Sequence, residues 1–221
     1  MNCTFLIGCD QNYYDVWGIN LLKSIKYFNN SNDYKLHCHI VNPKKDFTKI
    51  AGVIYTTEEK EFLNRDNEIA YLQCSRFLAV RQYYPDNDIV VTLDTDSICT
   101  RKFTETELAE LLSKTHVLTR GKPTDNHWLA GMIVFKDKEF KEDYANLVLS
   151  KNTDNWNYGW DQVVLGNLAD KHNFKQLPPK WMSIGKNGMN RVFLTLKGKS
   201  QKTEKKYLNA YYNLIKKINN D

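Results

Sequence analysis

Long hydrophobic runs are absent from this 221-residue chain. No stretch approaches the ~18 consecutive apolar residues that a membrane span requires. The opening Met1-Asn2-Cys3-Thr4-Phe5-Leu6-Ile7-Gly8 has no basic region ahead of its short apolar stretch, as a secretory leader would. The expectation is a soluble, cytoplasmic protein without a signal peptide. C-x-x-C pairs are missing too: the five cysteines, Cys3, Cys9, Cys38, Cys74 and Cys99, are odd in number and widely spaced. This argues against a disulfide framework or a thiolate zinc site, and they read as reduced, mostly buried, small apolar side chains. No G-x-S-x-G elbow and no P-loop occurs. A nucleotidyltransferase of similar architecture would want a Gly-rich phosphate loop after the first strand, where Asp10-Gln11-Asn12 stands instead. No internal repeat or low-complexity linker divides the chain. Its length suits one core, since cores usually split only beyond ~250 residues.

Acids are scarce in the last quarter. From Lys171 onward there are 12 Lys and Arg against two acids, Glu204 and Asp221, so a net charge of +5 conceals a basic segment behind an acidic body. Such a segment is either a solvated lysine-rich tail or the partner of an anion: a diphosphate, an acidic glycan, a nucleic acid or a membrane surface.

What is present alternates. The apolar stretch Cys3 to Cys9 is followed by Val16, Ile19, Leu22, Ile25 and Phe28 at helical spacing, then by an apolar run from Leu36 to Val41. A second helix over 67–84 ends before Pro85, and Ile89 to Leu93 is a nearly continuous apolar run of the kind a parallel strand covered on both faces requires. Thr104 with Glu107 three residues on makes a capping box for a helix to Lys114. Strands follow at 116–119 and 129–135, and helices at 139–149 and 161–169. This alternation predicts a three-layer α/β fold with a mostly parallel sheet, in which ligands bind beyond the carboxyl ends of the strands.

Asp94-Thr95-Asp96 stands at one such end. Two carboxylates one residue apart repel unless a cation is near, and their hard oxygens suit Mg²⁺ or Mn²⁺, which complete their shells with waters and substrate phosphates. A turn or helix-capping acid pair is the alternative. After five apolar residues the metal reading, through Asp94 and Asp96, is the one adopted.

The stretch Ile89-Val90-Val91-Thr92-Leu93-Asp94-Thr95-Asp96 resembles the D-x-D strand of GT-A-fold glycosyltransferases, in particular the retaining family 8 of glycogenin and bacterial galactosyltransferases. Cys9-Asp10-Gln11-Asn12-Tyr13 resembles that family's D-x-x-Y nucleotide-base contact. Arg76, on the helix before the D-x-D strand, stands where the family places an arginine near the nucleotide. Ala130-Gly131-Met132-Ile133-Val134-Phe135 resembles its N-A-G strand, and Trp160-Asp161-Gln162-Val163-Val164-Leu165 its D-Q-x-x-L helix. The matches run in order over residues 3 to 168.

The resemblance implies a metal-dependent transferase that takes a hexosyl or pentosyl group from a nucleotide-diphosphate sugar, uridine being the implied base. Configuration would be retained, and the acceptor would be a glycan or glycoprotein. Asp161 would bind donor-sugar hydroxyls and Gln162 would lie near the anomeric carbon. Asp10 and Tyr13 would meet the base, and Arg76 would offer a planar fork to phosphate or carboxylate. Asp96 would hold the ion, with Asp94 on a ligand water or the ribose. Two departures stand out. Leu129 replaces the asparagine before Ala-Gly, with Asn126 as a substitute, and no H-x-x-G-x-x-K-P-W segment supplies a metal-binding histidine. Its nearest echo is Gly185 to Arg191, in which Lys186 and Arg191 are the candidate phosphate contacts. The chain divides on this reading into a GT-A-like catalytic domain over 1–200 and a basic amphipathic helix over 201–221 packed on it.

Other features are weaker. His37 and His39 share one face of a strand but lack a third ligand, so they read as ordinary sheet residues. His116 and His127 have no partner pattern. Trp156, Tyr158 and Trp160 precede Asp161 as sugar-stacking rings or as core. The segment 205–218 is amphipathic, which fits packing onto the body better than peripheral membrane binding. Asn and Lys richness suits an AT-rich bacterial or viral genome, and for a virus the host cytoplasm. Two rival functions remain. A haloacid-dehalogenase-type phosphatase would use Asp94 as nucleophile and Asp96 as acid/base, but its motif normally opens the domain and needs later acids. A non-catalytic module binding anions or nucleic acid through the basic C terminus would carry a reading element; none is visible, and no nucleic-acid partner is expected.

Overall fold

A computed structural model describes residues 3–30, 33–44, 46–119, 128–184, 191–195 and 205–220. The chain alternates strands and helices. Strand β1 (Cys3–Asp10) leads into α1 (Gln11–Tyr13), a π-helical turn (Tyr14–Gly18) and α2 (Ile19–Phe28). Strands β2 (Tyr34–Val41) and β3 (Val53–Glu58) precede the long α3 (Arg65–Tyr83), which returns to β4 (Ile89–Leu93) and the short β5 (Ser97–Cys99). Then come α4 (Glu105–Leu112), β6 (His116–Thr119), β7 (Trp128–Phe135), α5 (Lys138–Leu149), α6 (Trp160–Leu168), β8 (Lys175–Gln176), β9 (Met182–Ile184), β10 (Phe193–Thr195) and α7 (Lys205–Asn220).

Seven strands form the central sheet in the order β3-β2-β1-β4-β7-β6-β8. Neighbours β3/β2, β2/β1, β1/β4 and β6/β8 are parallel, whereas β7 runs antiparallel to both β4 and β6. The expected mostly parallel sheet is therefore present. Both of its faces are covered: Phe5, Ile7, Cys9 and Val91 belong to one apolar core with α2 and α4, and Leu6, Val90, Ile133 and Phe135 to another with α3, α5 and α6. Two-sided burial is what the nearly continuous apolar run from Ile89 to Leu93 requires.

The expected helices form with shifted ends, and Thr104 and Glu107 make the full capping box. β3 lies outside the expected strands. Its Thr56-Thr57-Glu58 half is polar, and parallel pairing with β2, from Leu36↔Val53 to Val41↔Glu58, makes it a strand. A small second sheet, β5-β10-β9, is likewise built from non-local pairing of three-residue segments.

Two buried contacts, one polar and one steric, fix the elements around β4. Lys141 of α5 donates from Nζ to the carbonyls of Tyr84, Asp86 and Asp88, tying down the turn that feeds β4. Gly8 of β1 lies so close under α3 that an added Cβ would meet Cβ, Cα and N of Arg76 at 2.8–2.9 Å. Only glycine lets helix and strand approach this closely.

The five cysteines are free and buried. His37 and His39 are sheet residues in a buried polar chain. His37 bonds Tyr84 Oη through Nδ1 (2.9 Å) and Thr56 Oγ1 through Nε2 (2.7 Å), and Thr56 also meets His39 Nδ1 at 2.9 Å. His39 Nε2 lies 3.4 Å from Glu58. Burial, and then the neighbouring His39, hold the His37 ring at about 4. The unfolded chain, with an ordinary histidine near 6.5, takes up the proton first as pH falls. Stability contributed by neutral His37 is thus intact above about pH 6.5 and declines toward pH 4. Urea midpoints should fall over that window, and a His37→Phe variant with the same slope as wild type would remove His37 as the cause.

Candidate active site

The Asp94-Thr95-Asp96-Ser97 segment closes as a tight turn, with Ser97 N donating to Asp94 O at 3.0 Å. This turn carries the chain from the main sheet into β5. Asp94 N donates to Gly131 O of β7 (2.8 Å), and Thr95 Oγ1 donates to Gly8 O of β1 (3.2 Å). The turn is thus bolted to both strands flanking β4, and Asp94 and Asp96 both line a cavity of about 510 Å³. The cavity lies beyond the carboxyl ends of β1 and β4, beside the place where sheet order reverses direction from β1, the usual ligand position in such sheets.

Asp96 is held from two sides, accepting from Tyr13 Oη at 2.9 Å and from Thr195 Oγ1 of β10 at 3.3 Å. Burial, and then the Asp96 carboxylate, push the Tyr13 phenol far above its ordinary value, so it remains a donor. Asp10 is the N-cap of α1, with Oδ1 accepting from Tyr13 N at 2.6 Å. The Asp10 and Tyr13 of the nucleotide-base pattern are therefore tied to each other and to the D-x-D turn, and both line the cavity.

The cavity's second wall is a face of α3. Arg65, Ile69, Leu72, Gln73 and Arg76 recur at helical spacing and all line it. Arg76 is only 5% exposed. Its Nη2 lies 2.9 Å from Asp94 Oδ1 and donates to Ala130 O at 2.7 Å, so the guanidinium braces the D-x-D turn against β7. Burial by itself would lower the Arg76 pKa, but the carboxylates of Asp94 and then Asp161 carry it above the ordinary arginine value.

The third wall is the start of α6. Gly159 adopts a left-handed φ of +83° at the N-cap, a conformation glycine takes without a Cβ penalty, and its N–H donates to Gln73 Oε1 of α3 at 2.9 Å. Asp161 follows, 3% exposed, with Oδ1 accepting from Gln162 N at 2.9 Å. Tyr144 Oη donates to the Asp161 carbonyl at 2.9 Å. Asp161 and Gln162 face the same cavity as the D-x-D pair. The aromatic cluster before them divides: Trp156 is core, stacked on Tyr71 at 5.7 Å, and Trp160 packs against the same core. Tyr158 is 78% exposed at the cavity.

Seven of the nine predicted site residues thus meet in one cavity: Asp10, Tyr13, Arg76, Asp94, Asp96, Asp161 and Gln162. Arg191 is not among the lining residues; its carbonyl accepts from Thr100 Oγ1 beside β5. Lys186, Asn126 and His127 lie outside the described residues. Part of the basic C-terminal charge pairs with the body, Lys171 with Asp143 and Glu139 and Lys180 with Glu110. Among the described residues no three His, Cys, Asp or Glu side chains group as a metal site, and no helix is long and apolar enough to cross a membrane. Sequence reasoning missed Gln73 and Thr195. Gln73 carries a signal, since it falls on the helix face shared with Arg65, Ile69 and Arg76; Thr195 carries none, since only the β10/β5 pairing brings it to Asp96.

No protein-family model matches the chain, and no curated protein matches it in sequence. Solved structures do resemble it. The galactosyltransferase LgtC, in complex with donor and acceptor sugar analogues, superimposes with a TM-score of 0.66 at 13% identity over 98% of this chain and 96% of LgtC. The bifunctional glycosyltransferase WbbM gives 0.67 at 12% identity over 97% of this chain. The glycosyltransferase GlyE of Streptococcus pneumoniae TIGR4 gives 0.64 at 12% identity, also over 97% of this chain. This chain spans 49% of the length of WbbM and 60% of that of GlyE. At such identities the likeness is one of fold, and the fold is the three-layer GT-A architecture of these glycosyltransferases.

Proposed function

We propose that the protein is a metal-dependent glycosyltransferase that uses a nucleotide-diphosphate sugar, with uridine as the base, and transfers the sugar with retention to a glycan or protein acceptor. The observation that carries this reading is the meeting, in one cavity of about 510 Å³, of the Asp94/Asp96 pair and the Asp161/Gln162 pair. The fold supports it, and so does LgtC, whose structure holds analogues of both donor and acceptor.

The donor set tests the ion. Asp94 and Asp96 offer only carboxylate oxygens, and Asp94 already accepts from Arg76. Mg²⁺ and Mn²⁺ are commonly held by one or two carboxylates with waters and substrate phosphates, so the pair fits such an ion without a third protein ligand. Bound there, the ion would supply Lewis-acid stabilisation of charge on the departing diphosphate.

The chain's own residues account for the rest. As the bond between the anomeric carbon and the β-phosphate oxygen breaks, the diphosphate leaves with the electron pair. An acceptor hydroxyl oxygen bonds that carbon on the face the diphosphate leaves, and its proton passes to the departing β-phosphate oxygen. Asp161 holds donor-sugar hydroxyls, Gln162 places its amide at the anomeric carbon, and Asp10 and Tyr13 position the nucleotide end. Arg191 and Lys186 remain candidate phosphate contacts from the basic segment.

Isothermal titration with uridine diphosphate, with and without Mn²⁺, tests the donor site. Binding that requires Mn²⁺ supports it, and no binding under either condition removes it. A panel of nucleotide sugars then identifies the donor. With that donor, Asp161→Asn should reduce kcat about 10²-fold or more while uridine diphosphate affinity changes little, the pattern of an interaction made at the reacting sugar. Near-normal turnover would leave Asp161 as an acid at a helix start.

A further inference from the structure

We infer that the C-terminal helix α7 is a working part of the donor site, with Tyr211 as a positioning residue that holds Asp96 in place. The inference rests on the donor-site reading above, and three contacts around Asp96 converge on Tyr211.

The first support is aromatic. Tyr13, whose Oη bonds Asp96, has its ring 6.4 Å from that of Trp17 in the π-helical turn. Trp17 in turn meets the ring of Tyr211 edge-on at 5.1 Å and 64°. The second is the strand that continues from Asp96 itself: Ile98 of β5, two residues on, forms a buried apolar cluster with Tyr211 and Leu194. The third is β10. Leu194 pairs with Ile98 and immediately precedes Thr195, whose hydroxyl donates to Asp96.

Tyr211 is 1% exposed, and Leu214 and Ile215 from the next turn of α7 pack against the same cluster. Burial raises the Tyr211 phenol. At the far end of the helix, Lys23 of α2 donates to Asn219 Oδ1 at 3.1 Å, a second latch that keeps α7 seated.

A carboxylate that must present its oxygens to an ion and a diphosphate gains from being held in one rotamer before the ligand arrives. Both side-chain donors shown to hold Asp96 in this way, Tyr13 and Thr195, are backed by the Tyr211 cluster. Loosening that cluster frees Asp96 without touching any ligand atom. The basic amphipathic helix is thereby given a role besides covering apolar surface: its docking sets donor affinity.

The test is titration of uridine diphosphate in Mn²⁺ into the full chain and its Tyr211 variants, with a thermal melt of each. Tyr211→Ala should weaken binding about five- to tenfold, the scale of a lost aromatic contact converted to an equilibrium constant. Tyr211→Phe, which keeps the ring on Trp17, should restore wild-type affinity. Leu112→Ala, in the core under α4 and away from the cavity lining, should lower the melting temperature while leaving affinity unchanged. If Tyr211→Ala does not fold, Tyr211→Leu, which retains apolar bulk but loses the ring, carries the same comparison. A Tyr211 variant that melts earlier yet binds uridine diphosphate as wild type does would overturn the inference alone. A wild-type chain that binds none would overturn the donor-site reading and this inference with it.

Discussion

Replacing Asp96 by alanine should abolish Mn²⁺-dependent binding of uridine diphosphate while leaving the fold intact. The argument is one of burial and charge. Asp96 lies at a turn over an open cavity, and among the described residues the hydroxyls of Tyr13 and Thr195 that donate to it are neutral. Losing the carboxylate leaves two hydroxyls, which water in the cavity can satisfy, so the stability cost should be about 1 kcal/mol or less. Binding should suffer far more. A site with few carboxylates that loses one loses an anionic ligand for a divalent ion, and a fall of about 10²-fold or more in affinity is expected. Calorimetry in Mn²⁺ reads the loss and circular dichroism checks the fold. Affinity equal to wild type would remove the metal site from the reading.

Arg76→Met should have the opposite profile, a large loss of stability with the site damaged in consequence. Arg76 is buried, and its guanidinium serves both Asp94 and the carbonyl of Ala130. Methionine fills much of the volume but donates nothing. Breaking a buried pair by removing one partner costs about 3–5 kcal/mol. Because the Asp94 side chain keeps 17% exposure at the cavity, the lower end applies. For a domain of this size, each kcal/mol shifts the melting temperature by about 2–4 °C, so a fall of about 6–12 °C is expected. Arg76→Lys keeps the charge but loses the planar fork, and should fall between wild type and methionine. A double-mutant cycle with Asp94→Asn separates the pair from the packing, since two additive losses would mean that Arg76 and Asp94 are not coupled.

These two predictions treat two charged residues of one cavity differently, and the difference was not visible in the sequence. Read as residues, Arg76 was a planar fork for phosphate or carboxylate, and only the family resemblance gave Asp94 and Asp96 different roles. In the fold, Arg76 lies beneath Asp94 rather than open to solvent, because Gly8 lets α3 settle onto β1. Asp96 faces a different neighbourhood, built from the helix after β1 and from β10. The aromatic residues before Asp161 show the same limit. Trp156 and Tyr158 are equally apolar in sequence, and only packing against Tyr71 separates the buried ring from the exposed one.

What the sequence determined by itself was whatever local rules carry. Helical spacing placed α2, α3 and α7, the capping box placed α4, and a nearly continuous apolar run followed by two acids located the carboxyl end of a buried strand. Those signals depend on neighbours within a few positions, and they survive in the fold with ends shifted by a residue or two. What the tertiary structure decided depended on non-local pairing. β3 is a strand because β2 supplies its hydrogen bonds, and β5 and β10 exist only together. Gln73 and Thr195 become site residues through contacts made across 86 and 99 positions of chain. Charge and hydrophobic period say which face of an element is buried. They do not say which other element buries it, and the chemistry of this cavity is set by that choice.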